Sequence, residues 1–72
     1  MPLDIEHAFT PAQWARYWLT NVAWFTGTEV LEADVERLAE VWARVQARIA
    51  SHSHLLDLMA TVHQEYVTRS FE

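Results

Sequence analysis

Arg48-Ile49-Ala50-Ser51-His52-Ser53-His54-Leu55-Leu56-Asp57-Leu58-Met59 decides the fold, because two serines and two histidines interrupt what otherwise reads as one helix. The segment is a turn between helices, a metal site, or the polar middle of a long helix. Periodicity bears on the choice. Leu31, Val35, Leu38, Trp42, Val45, Ile49, His52, Leu56, Met59, His63 and Tyr66 follow one another at intervals of four and three without a slip, the spacing of a coiled-coil seam. A turn at 51–54 would shift that phase, and no Gly or Pro is there to build one. Ser53 could cap a further helix, but Leu56 stands where a capping box places Glu or Gln. The spacing therefore predicts one continuous helix from about 29 to about 70, with a three-helix bundle broken near 51–54 as the alternative.

Upstream, Thr10 precedes Pro11, and Gln13 follows the cap by three residues, the pattern of a capping box with proline at the first helical position. The first helix is expected over about 11–26, closed by Gly27 in the left-handed conformation. Thr28 is the expected cap of the next helix, whose positive N-terminal end suits Glu29 and Glu32. No strand-like alternation appears. The expected fold is all-α and a single helical domain over 1–72.

Length then argues for a partner. A helix of about 42 residues is about 63 Å long, and a first helix of about 15 residues covers only about 23 Å of it. Val41, Leu55 and Val62 flank the seam on one side, and Ala39, Ala60 and Val67 on the other, so the apolar face is broad. Leaving most of it in water would expose a larger apolar patch than a monomer tolerates. A coiled-coil-like homodimer is expected, with Leu38, Trp42, Val45, Ile49, His52, Leu56 and Met59 at its interface.

Composition bounds the function. The chain carries ten acids against five arginines and no lysine, a net charge of −5, with no basic cluster to neutralise phosphates, which argues against nucleic acid as a partner. An acidic mimic of nucleic acid is a third reading, although the acids of 29–40 are interleaved with arginine. The start Met1-Pro-Leu-Asp-Ile-Glu6 has acids where a signal peptide has positive charge. No apolar run approaches the roughly 20 residues of a membrane span. Without cysteine, a reducing cytoplasmic setting is expected.

No nucleophile context, glycine-rich phosphate loop or thiolate is present, so no catalysis and no cofactor are expected. Asp34 with Arg37, and Glu40 with Arg44, read as ordinary helix-surface ion pairs. His52 and His54 are two residues apart on a helix and diverge, while His52 and His63 are three turns apart, so one chain gathers no metal site from them. His52 and His63 read as polar seam residues that set register, with a protonation switch or a site shared across a dimer axis as alternatives.

On the first helix, Trp14, Ala15, Trp18, Leu19, Val22 and Phe25 fall on one face, expected to be the core. Tyr17 and Trp24 fall on the other side. They either complete a dimer core or form a partner-binding surface with Arg16, Thr20 and Glu29, since aromatics beside arginine resemble a binding hot spot. The expected function is a small non-enzymatic regulator, of the antiactivator or inhibitor type that phages and mobile elements encode, binding a larger protein. A structural subunit of a larger assembly is the alternative.

Overall fold

A computed structural model describes residues 10–71, and the acidic start at 1–6 lies outside the described residues. Three helices form, α1 (Pro11–Thr26), α2 (Glu32–Gln46) and α3 (His52–Ser70), with no strand among the described residues. The bounds of α1 are those its sequence predicts. The Gln13 N–H donates to Thr10 Oγ1 at 3.2 Å and the Thr10 N–H donates to Gln13 Oε1 at 2.9 Å, which closes the capping box. At the other end Gly27 sits at φ 70°, and the N–H groups of Gly27 and Thr28 both reach the Ala23 carbonyl. Open space surrounds the point where a Cβ on Gly27 would lie, so the left-handed φ is what selects glycine there.

The continuous helix over 29–70 does not form; the three-helix alternative does. α2 begins at Glu32 rather than 29, with Leu31 at its N-cap position and no side-chain cap, and the Thr28 hydroxyl expected there lies 2.8 Å from that of Thr26 instead. The break falls just before the serines. Arg48 takes φ 61°, its N–H donates to the Val45 carbonyl at 3.0 Å, and the Ile49 N–H donates to the Arg44 carbonyl at 2.8 Å. That is a Schellman ending built with arginine where glycine is usual. Ser51, not Ser53, caps α3 by accepting the His54 N–H at 3.2 Å.

Magnitudes explain why the break wins. A non-glycine residue in the left-handed region costs about 1–2 kcal/mol. In return α3 folds back and buries Leu55, Val62 and Tyr66, all at most 4% exposed, and burying one such side chain contributes about 1.5–3 kcal/mol. The core they join contains Ala15, Leu19, Val22 and Ala23 of α1 and Val35, Leu38 and Val45 of α2. In an unbroken helix Leu55 would lie about 80° around the axis from Val45; the corner at 47–51 removes that offset. The seam is thus divided. Leu38 and Val45 are buried within one chain, Trp42 and Met59 are half-buried, and Ile49, His52, Leu56 and His63 are exposed. The two histidines are surface residues, not seam residues inside the chain, and the length argument for a dimer loses its premise.

Arg48→Gly distinguishes the two folds sharply. At a left-handed corner, relief of the strain outweighs the larger unfolded-state entropy of glycine, so stability is expected to rise by about 0.5–1 kcal/mol. In the middle of a continuous helix the same change would lower it by about 1 kcal/mol. Thermal unfolding reads the sign, since 1 kcal/mol moves the Tm of a domain this size by roughly 4–8 °C.

Two contacts set the crossing of α1 and α2. Trp14 stacks on Trp42, with ring centroids 4.9 Å apart, and Arg16 reaches Glu32 at 2.6 Å. Residues two apart on α1 meet residues ten apart on α2, so the helices cross at an angle, with the fully buried Ala15 between the two contacts. Its small side chain permits that approach. Across from α1, the end of α3 locks onto the start of α2. The Tyr66 hydroxyl donates to Asp34 Oδ2 at 2.9 Å and accepts the Leu31 N–H at 3.0 Å, while Arg37 donates to Asp34 Oδ1 at 3.2 Å. Asp34 lies in the first turn of α2, where the helix dipole favours an anion. Arg69 lies over the Tyr66 ring at 4.8 Å and donates to the Glu29 carbonyl at 3.4 Å.

Candidate functional site

α1 contains one charged residue, Arg16, and three of the chain's four tryptophans. Its core side is Ala15, Leu19, Val22 and Ala23. At 100° per residue, Trp24, Tyr17, Asn21, Trp14, Phe25 and Trp18 then fall within an arc of about 120° on the outward side and its edge. Tyr17 is 61% exposed, Trp24 76% and Phe25 78%, with Trp14 and Trp18 half-buried at the margin, Trp14 against Trp42 of α2. The Trp24 and Phe25 rings pack edge to face, with centroids 5.0 Å apart. Phe25 is a correction, since the periodicity of α1 assigns it to the core. It lies about 80° from Ala15 on the last turn of α1.

The polar groups on this surface are turned inward. Thr20 Oγ1 donates to the Arg16 carbonyl at 2.7 Å, and Asn21 Nδ2 donates to the Tyr17 carbonyl at 3.0 Å. A partner covering them would strip little water from unpaired donors, which lowers the desolvation penalty of contact. Arg16 is exposed but engaged, its two terminal nitrogens donating to the two Glu32 oxygens at 2.7 and 2.6 Å. This bidentate pair neutralises the edge of the surface. Glu29 is exposed in the connection between α1 and α2, and its carbonyl accepts from Arg69. Of the five residues expected to bind a partner, Tyr17, Thr20 and Trp24 share the outward side of α1, Arg16 forms its border, and Glu29 stands beyond the turn.

The Arg16–Glu32 pair has a pH signature. Hydrogen bonds from Arg16 hold the Glu32 carboxyl below its ordinary value of 4.5, while partial desolvation opposes the shift. A lowered folded value means that the pair's contribution is complete above about pH 4.5 and disappears as pH falls through the lowered value. Carboxyl NMR titration is expected to place Glu32 below 4.5 in the native chain and close to 4.5 in Arg16→Met. A midpoint indifferent to Arg16 would remove the pair from the solution structure.

Elsewhere the geometry offers little for chemistry. A shallow depression of about 270 Å³ is walled by His54, Asp57, Leu58 and Thr61 of α3 alone, below the roughly 300–1,000 Å³ usual for ligand pockets. Among the described residues no group of three or more His, Cys, Asp or Glu is placed to hold a metal ion, and no helix is long and apolar enough to cross a membrane. Burial pushes the Tyr66 hydroxyl above its ordinary value of 10.0, and the adjacent Asp34 adds to the shift against the Leu31 N–H. A phenol held protonated in this way serves structure.

The outward direction of Tyr17 and Trp24 was readable from helical periodicity. Phe25 and the Arg16–Glu32 pair were not, because the first depends on how the other helices cover the last turn of α1 and the second joins residues sixteen positions apart. No known protein family, curated protein or solved structure matches this chain.

Proposed function

We propose that this chain is a small, non-enzymatic regulatory protein which docks on a larger protein through the outward face of α1 and, acting as a pair of copies, blocks or modulates it. The observation that carries the reading is the exposure of Tyr17, Trp24 and Phe25 on one uncharged side of a well-capped helix. Exposed aromatics of this size lower solubility when nothing covers them, and Trp and Tyr are the residues most enriched in binding hot spots. A convex helical ridge with aromatic anchors at i, i+7 and i+8 is a shape that enters an apolar groove on a partner. The partner proposed is a protein and not a nucleic acid, because the one cation of α1 is already engaged by Glu32. A cytoplasmic setting belongs to the same proposal, since a chain without cysteine gives up nothing in a reducing compartment.

Exposed Ile49, Leu56 and Phe71 on other segments favour a second reading, a helical subunit of a larger assembly. A photo-crosslinking amino acid at position 24, compared with one at exposed position 36 on α2, separates the two. The docking proposal expects adducts with one larger protein from position 24 and none from 36. Equal adducts from both positions would favour the subunit, and no adduct from 24 would overturn the docking face.

A further inference from the structure

A stripe flanking the core side of α3, with Met59 packed against the core, has a symmetry that the core does not require. Leu55, Val62 and Tyr66 face inward, and beside them run His52, Leu56, Met59 and His63, at intervals of four, three and four. Read in either direction the spacing is the same. His52, Leu56 and His63 are exposed, Leu56 by 62%, and Met59 is half-buried. We propose that α3 pairs antiparallel with α3 of a second copy along this stripe. The proposal deepens the two-copy part of the function above by assigning the surface that makes the pair.

A twofold axis between Asp57 and Leu58 sets Leu56 of each copy against Met59 of the other, and His52 of each against His63 of the other. The interface is then isologous and closes at two chains. Each neutral imidazole carries one donor and one acceptor, so the facing histidines can satisfy each other. Ser53 and Ala60, both exposed, occupy the adjacent heptad position, where small side chains allow the helices to approach.

Charge does not oppose self-contact on this face. Two chains of −5 each repel, and seven of the ten acids precede residue 41. On α3 only Asp57 and Glu65 are acidic. Glu65 is turned toward Arg37 of α2 at 3.7 Å, and Asp57 lines the depression with His54, Leu58 and Thr61, so the stripe itself holds no carboxylate. The contact extends over about three helical turns, at the small end of specific interfaces, which implies an association that varies with concentration.

Sedimentation equilibrium over a concentration series tests the assignment with the full chain. The native protein is expected to show a monomer–dimer equilibrium, and Leu56→Glu, at an exposed and therefore tolerant position, is expected to weaken it about tenfold or more. The double variant His52→Glu, His63→Lys fixes the direction. Antiparallel pairing sets each Glu against a Lys and tightens the dimer, whereas parallel pairing sets like charges together and weakens it. A protein monomeric at every concentration overturns both this proposal and the two-copy reading. A dimer indifferent to Leu56→Glu, or one weakened by the double variant, overturns the α3 assignment alone.

Discussion

Tyr66→Phe is expected to lower the free energy of unfolding by about 2–3 kcal/mol, although it removes a single oxygen. That oxygen ties α3 to the start of α2 through two bonds, since it donates to Asp34 in the first turn and accepts the N–H of Leu31 at the N-cap position. Tyr66 is 1% exposed and Asp34 is 7% exposed, so phenylalanine leaves a buried carboxylate oxygen and a backbone N–H short of a partner. Hydrogen bonds to charged groups contribute about 1.5–3 kcal/mol, and an orphaned buried group carries its full desolvation penalty. A chain of this length has a total stability of roughly 4–11 kcal/mol, so the loss is a large fraction of it. Urea unfolding measures the change. A loss under about 0.5 kcal/mol would mean that the contact is absent in solution.

The same hydroxyl predicts an alkaline limit. Its folded value is raised, so the contribution is complete below the ordinary value of 10.0 and is lost as pH rises through the raised value. Tyr66→Phe should be the less stable protein at neutral pH and should lack this part of the alkaline loss.

Trp24→Ala carries the second large effect, in binding and not in stability. Trp24 is 76% exposed and touches Phe25 edge to face, so within the chain its removal forfeits little packing. If it anchors in a partner's groove, truncation costs on the order of 2 kcal/mol or more, which weakens affinity roughly 30-fold. Titration of the crosslinked partner with native and variant chains gives the ratio. Thr20→Ala is expected to matter far less, because the Thr20 hydroxyl is already bonded to the Arg16 carbonyl. A variant that binds as tightly as the native chain would remove Trp24 from the interface.

Local signals were legible in the sequence and tertiary ones were not. Thr10, Pro11, Gln13 and Gly27 delimit α1 because each acts on backbone within one turn of itself. The corner at Arg48 has no such marker, since a Schellman ending is ordinarily announced by glycine and here arginine adopts the left-handed conformation. A weaker signal was present in composition. Leu55, Leu58, Met59, Val62 and Tyr66 make a wholly apolar face, whereas the unbroken heptad places His52 and His63 in its seam. Preference for the face without histidine would have located the break. Of the candidate surface, the directions of Tyr17 and Trp24 follow from the period of one helix. The exposure of Phe25 depends on how the other helices cover the last turn of α1, and no residue near Phe25 encodes that.

Whether the outward aromatics of α1 serve a partner or the core is tested most directly by urea unfolding of the double variant Tyr17→Ser, Trp24→Ser. Both positions are more than half exposed, so the stability of the double variant should lie within about 0.5 kcal/mol of the native chain, as for surface substitutions generally. A loss of about 2 kcal/mol or more would return the pair to the core and leave α1 without a docking face.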